Sequence, residues 1–135
     1  MKALTLVLLV AACAVAQEPA LVLGPMYRGI TDCRGGVPVS VVRGGMSYED
    51  SVEVEAHEAV HRRQMRVDCA EVIRRYRNDR QYRVRMETEA YCAGIRTLSD
   101  SAYIARRDGT LAFVVRMFPD IPQEKVKSLF RQYCP

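Results

Sequence analysis

The stretch "SYEDSVEVEAHEAVHRRQMR", residues 47–66, contains both histidines of the 135-residue chain. Ser47 is a favourable helix N-cap, and the acidic residues that follow it suit the positive end of a helix dipole. We therefore predict a helix over residues 48–66. On that helix His57 and His61 are four residues apart, so they lie on one face, one turn from each other.

The rest of the chain predicts a mostly helical α+β domain with one or two short strands. Residues 37–43, "VPVSVVR", are β-branched and bounded by glycines, as is typical of a strand. Residues 17–36 are rich in Gly and Pro and are predicted to be irregular. Residues 111–118, "LAFVVRMF", fit a strand or a helix, because periodicity does not discriminate in so short a run. Further helices are predicted over residues 69–79 behind an Asp68 cap, 81–98, 101–107 with an end at Asp108-Gly109, and 122–134.

Residues 1–16 have the layout of a secretory signal peptide: one lysine, a short apolar run and small residues before Gln17. Cleavage after Ala16 would leave a single domain of residues 17–135, secreted or periplasmic. The weaker alternative is a lipoprotein, because "VAAC" resembles a bacterial lipobox that ends at Cys13. The apolar run before that cysteine is unusually short for a lipoprotein signal, which favours the unlipidated product.

Four more cysteines, Cys33, Cys69, Cys92 and Cys134, remain in the mature chain. An even number in a small exported protein favours two disulfides, for which three pairings exist. No two of the four have CxxC spacing, so a structural zinc cage built from cysteines is a poor interpretation.

The segment from His57 to His61 reads HExxH. Two imidazoles one helical turn apart can both reach a zinc ion at about 2.0–2.1 Å. Zinc lowers the pKa of a bound water towards 7, and Glu58, offset from the histidine face, could take the proton of that water. The motif therefore predicts a zinc site in which Glu58 is the catalytic base.

A catalytic zinc site needs a third protein ligand, and no histidine remains to supply it. The segment "METEAYCAG" offers Glu87 and Glu89, which are about 200° apart around a helix, so only one of them can face the metal. Glu89 shares an apolar stripe with Met86, whereas Glu87 is expected nearer the solvent. We predict Glu89 as the ligand and keep Glu87 as the alternative.

HExxH followed by a helical glutamate resembles the gluzincin branch of the zincin metallopeptidases. "HEAVHRRQ" followed by "ETEAYCAG" is especially similar to small bacterial proteins with a zincin-like core, over about residues 37–98. The resemblance implies a minimal zinc-dependent peptidase in which His57, His61 and Glu89 hold Zn²⁺ and Glu58 is the base. The chain lacks the large second lobe of full-size gluzincins. It also has no oxyanion-stabilising partner at a recognisable spacing; the candidates are Tyr91, Tyr103 and Arg96.

Two further expectations concern the support of the site. Gln64 and Asp68 are close enough to the histidines to orient the imidazole nitrogens that do not contact the metal. A disulfide between the two ligand-bearing helices would preform the site, which favours Cys69–Cys92 and, by exclusion, Cys33–Cys134.

Two rival interpretations belong to other classes of protein. In the first, the chain is an exported, disulfide-stapled helical binding or structural protein whose zinc is non-catalytic or incidental. In the second, the nine arginines between residues 62 and 85 form a nucleic-acid surface. Interspersed acids, export and a net charge of only +4 argue against nucleic acid. We expect a monomer without a transmembrane segment that acts on a peptide or cell-envelope substrate.

Overall fold

The computed structural model describes residues 21–135, so the predicted signal peptide and Cys13 lie outside the described residues. The fold is α+β and mostly helical, as predicted. Within residues 21–135, none of the helices combines the length and the apolar character needed to cross a membrane. The elements are β1 (Gly29–Arg34), β2 (Val37–Val42), α1 (Tyr48–Gln64), α2 (Cys69–Asn78), α3 (Arg80–Ile95), α4 (Asp100–Met117) and α5 (Gln123–Tyr133).

The two strands form an antiparallel hairpin in which Thr31 lies opposite Ser40. Gly35 and Gly36 make the turn, both at positive φ, which glycine adopts without steric cost. The prediction of β2 is confirmed, but the prediction of an irregular segment up to residue 36 is wrong, because β1 begins at Gly29. All six residues of β1 are half-buried, so the strand lacks the alternating pattern that reveals a strand in a sequence.

Side-chain caps define the starts of the first three helices. The Ser47 hydroxyl accepts a hydrogen bond from the Asp50 amide at 3.1 Å, as predicted for the start of α1. Asp68 accepts from the Glu71 amide at 3.0 Å and so begins α2. The Asp68 carboxylate is therefore the N-cap of α2. Asp79 caps α3 in the same way.

Helix α4 corrects a predicted boundary. It continues from Asp100 to Met117 through Asp108-Gly109, so residues 111–118 are helical apart from the last one. A glycine inside a helix costs only about 1 kcal/mol relative to alanine. Burial of Val114 and Phe118 against the neighbouring helices outweighs that cost.

Helix α3 lies at the centre of the helical layer and packs against the other four helices. One buried cluster joins Val84 of α3 to Val114 of α4 and Val126 of α5. A second joins Ile95 to Phe130. Because helices surround α3 on several sides, its buried residues are not confined to one face.

The disulfides are Cys33–Cys69 and Cys92–Cys134, with Cα–Cα distances of 5.5 and 5.4 Å. The predicted pairing is therefore wrong. Strand β1 packs beside α2, which places Cys33 at the start of that helix, and α5 returns along α3. Each bridge thus joins elements that already pack together.

Gly94 sets the separation of α1 and α3. A Cβ at this position would lie 2.9 Å from the backbone carbonyl oxygen of Glu53, closer than real Cβ contacts. A backbone atom cannot move aside as a side-chain tip can, so α3 could not approach α1 this closely with a larger residue. Gly94 therefore permits the close packing of the two helices.

We expect Gly94→Ala to lower the free energy of unfolding by about 1–3 kcal/mol, because the added methyl group overpacks the α1–α3 contact. Gly109→Ala is the matched control: the position is helical and its Cβ would meet no atom within 4 Å. This second change should raise the free energy of unfolding by roughly 0.5–1 kcal/mol. Urea unfolding of the two variants measures both effects, and equal stability would contradict the close approach.

Candidate metal centre

The two histidines of α1 and one carboxylate of α3 converge in the structure. The Nε2 atoms of His57 and His61 are 3.1 Å apart. The Glu87 oxygens lie 3.6 Å from each of them, Oε2 from His57 and Oε1 from His61. Ligands held tetrahedrally at 2.0–2.1 Å from a zinc ion would be about 3.3–3.4 Å apart. The observed spacings bracket that value, so this group could hold a metal ion.

The carboxylate in this group belongs to Glu87, and not to Glu89 as expected. Glu87 is buried, with 6% of its surface exposed. The Glu89 carboxylate instead contacts Arg63 at 2.5 Å and Gln64 at 2.9 Å. The prediction assumed that the apolar stripe of α3 was its only inward face. Because α3 is packed on several sides, the stripe and the α1-facing side are different surfaces.

Gln64 orients His61, as the sequence suggested. The Gln64 side-chain nitrogen donates to the Glu89 carboxylate at 2.9 Å and to the Met86 carbonyl at 3.3 Å. The amide oxygen therefore faces His61 Nδ1, at 2.9 Å, and accepts its proton. In the neutral ring this leaves the Nε2 lone pair directed at His57 and Glu87, as a metal ligand requires.

Tyr76 of α2 supports Glu87, a role that no pattern in the sequence indicated. The Tyr76 hydroxyl donates to Glu87 Oε1 at 2.5 Å. Burial, together with the charge of Glu87, raises the pKa of Tyr76, so it remains a neutral donor. A long-range contact of this kind leaves no local signal in the sequence, since 11 residues and a helix boundary separate the two side chains.

The hairpin supports Glu58. Thr31 Oγ1 lies 2.6 Å from Glu58 Oε2 and donates to it, while Ser40 Oγ lies 2.6 Å from the Thr31 oxygen on the neighbouring strand. Gly29 leaves room for this contact, because a Cβ there would lie 2.6 Å from Glu58 Oε1. Burial raises the pKa of Glu58, and the Thr31 hydroxyl partly opposes that rise. Strand β1 therefore holds Glu58 in one position.

The pKa values of the two imidazoles are shifted in opposite directions. Burial, followed by the proximity of His61, lowers the pKa of His57 to about 4, against an opposing effect of Glu87. Burial also acts to lower the pKa of His61, but its contacts with Glu87 outweigh this and the pKa is raised. Burial acts to raise the pKa of Glu87, and the proximity of His61 outweighs burial and keeps that pKa below its usual value. The group therefore retains an anionic carboxylate beside the imidazoles.

Two clefts of about 670 and 370 Å³ meet at His57, Glu58 and Tyr91. The Tyr91 ring contacts His57 edge to face, with centroids 4.4 Å apart. Tyr91 is thus the one of the three oxyanion candidates that lines these clefts. Tyr103 instead donates to the Pro135 carbonyl, and Arg96 ends α3. His57 and Glu58 therefore lie where the two clefts meet.

Comparison of the chain with protein-family models, with curated proteins and with solved structures finds no match. The chemistry that the centre can perform therefore has to follow from its own residues and not from a relative. Gln64 orients the His61 imidazole, Tyr76 orients the Glu87 carboxylate, and Thr31 separately holds the carboxylate of Glu58 beside them.

Proposed function

We propose that this protein is a zinc-dependent metallopeptidase with a minimal, gluzincin-type zincin-like core. His57, His61 and Glu87 hold Zn²⁺, and Glu58 is the general base. The observation that carries the proposal is the convergence of the two Nε2 atoms and the Glu87 carboxylate within 3.6 Å of one another, beside Glu58.

The donor set favours zinc among the common metals. Two imidazoles and one carboxylate form a known catalytic zinc combination, which leaves a fourth position for water or substrate. Calcium and magnesium prefer all-oxygen sites, so the imidazoles argue against both. Zinc would act as a Lewis acid that polarises a peptide carbonyl and lowers the pKa of water.

The residues of the chain supply the remaining steps of peptide hydrolysis. Glu58 takes a proton from the attacking water and returns it to the leaving amine. Thr31 holds one Glu58 oxygen and so fixes the carboxylate relative to the cleft. Tyr91, next to His57, is the candidate donor to the developing oxyanion.

Strand β1 offers a binding edge for the substrate. It pairs with β2 on one side, and its residues Gly29 to Asp32 line the smaller cleft. An extended peptide can add to such an edge through backbone hydrogen bonds, which would bring its scissile bond to Glu58. Two disulfides are typical of proteins in oxidising compartments, so a substrate outside the cytoplasm suits this chain.

Metal analysis and peptide hydrolysis together test the proposal. The purified, oxidised protein should contain one zinc per chain and should cleave members of a mixed peptide pool. A chelator should stop the cleavage, and added zinc should restore it. His57→Ala should lose both zinc and cleavage. Full zinc content in His57→Ala would reject the site, while zinc without cleavage of any peptide would favour a stapled binding protein with a non-catalytic metal.

A further inference from the structure

The larger cleft has an uneven charge distribution. Its cationic lining residues are Arg28, Arg106 and Arg116, and its carboxylates are Glu53 and Glu58. Glu53 is already paired with Arg106 at 3.1 Å. Glu58 is the proposed base and is held by the hairpin. Glu58 forms no ion pair with any of the three arginines, so the partners of each arginine decide which of them is available to a ligand.

Arg116 is the arginine of this cleft that is left without an acidic partner within residues 21–135. Arg28 is paired with Asp50 at 2.6 Å, and Arg106 with Glu53. Among the described residues, Arg116 has neither an ion-pair nor a hydrogen-bond partner, and it lies exposed on α4 at the cleft. Its guanidinium group is free to bind an anion, and its planar donors match a carboxylate.

Apolar side chains surround this arginine. Met26, Tyr27, Phe113 and Met117 line the same cleft and are between 37% and 88% exposed. The Phe113 ring contacts Tyr91, with centroids 5.5 Å apart, and Tyr91 contacts His57. The apolar wall is therefore continuous with the metal centre. A ligand with both apolar and anionic groups complements this surface.

We propose that the larger cleft selects peptides that present a carboxylate beside an apolar side chain, with Arg116 as the partner of that carboxylate. The inference rests on the proposed peptidase function and names its substrate class. The carboxylate has two chemical sources: an acidic side chain within the peptide, or the free carboxyl group of a peptide that ends in the cleft.

Binding to a zinc-loaded Glu58→Gln protein tests the inference without cleavage. Three labelled peptides have the same residues up to and including one leucine. The first continues with glutamate and is amidated, the second continues with glutamine and is amidated, and the third ends at the leucine with a free carboxylate. We expect at least one carboxylate peptide to bind about fivefold more tightly than the Leu-Gln peptide, the range of an exposed ion pair. The tighter of the two identifies the source, and salt should weaken the preference.

Arg116→Gln, in the same background, should remove this preference. Arg116→Glu should transfer it to a Leu-Lys peptide. Arg131→Gln is the matched control, since Arg131 is exposed on α5 and lines neither cleft. Equal affinity for all three peptides, binding of none, or a preference that survives in Arg116→Gln would each overturn the inference.

The binding assay tests the specificity of the cleft separately from the proposed peptidase activity. A charge preference in the binding assay, together with no hydrolysis by the protein that retains Glu58, would reject the peptidase and keep the cleft specificity. Hydrolysis without a charge preference would support the peptidase and reject the cleft specificity.

Discussion

Replacement of Glu87 by glutamine is expected to lower the zinc affinity by more than about 100-fold, above the 10–100-fold range typical of outer-shell residues. Glu87 supplies the only carboxylate within 3.6 Å of the two imidazoles among the described residues. Glutamine keeps the shape of the side chain and an oxygen that can accept from Tyr76, so the change removes mainly the charge. Competition with a chromophoric zinc chelator measures the affinity, and circular dichroism checks the fold.

Glu89→Gln is the matched control, two residues further along the same helix. The Glu89 carboxylate contacts Gln64, and Gln64 in turn contacts His61. Because this influence on the metal group is indirect, we expect the zinc affinity to fall by no more than about tenfold. If Glu89→Gln lost zinc and Glu87→Gln kept it, the third ligand would be Glu89 and the packing of α3 against α1 would differ from the one described.

Glu58→Gln should reduce kcat/KM for a cleaved peptide by about 10²–10⁴-fold, the usual contribution of a positioned general base. The zinc content should remain at one per chain, because the Glu58 carboxylate is bound by Thr31 of the hairpin and is not part of the group formed by His57, His61 and Glu87. An amide oxygen can still accept from Thr31, so the side chain should keep its place. Steady-state hydrolysis together with metal analysis measures both effects.

Glu55→Gln provides the control for that experiment. Glu55 lies on the same helix, is paired with Arg62 at 2.6 Å on the surface and lines neither cleft. Its substitution should leave both hydrolysis and zinc content unchanged. Substantial activity in Glu58→Gln would exclude Glu58 as the base, whereas loss of zinc in that variant would give Glu58 a structural role.

The sequence alone predicted the elements and contacts that depend on neighbouring residues. The Ser47 cap, the helix that carries His57 and His61, and the contact of Gln64 with His61 all follow from the geometry of a single helix. Strand β2 and the start of α2 were predicted for the same reason: each has its signal within a few residues.

The missed features depend on contacts between distant segments. Strand β1 has no alternation because the hairpin and helices half-bury all of its residues. Helix α4 passes Gly109 because burial of Val114 and Phe118 outweighs a local preference to end. The disulfide partners follow from β1 lying beside α2 and from α5 returning along α3.

The sequence by itself thus determined that two imidazoles share one face of α1, because the pitch of a helix relates residues four apart wherever that helix lies. Only the tertiary structure decided which acid meets them. Helix α3 is buried on several sides, and its rotation about its own axis is set by Gly94 against α1 and by the apolar clusters against α4 and α5. That rotation directs Glu87 to the histidines and Glu89 to Gln64 and Arg63, a choice made by packing over the whole domain.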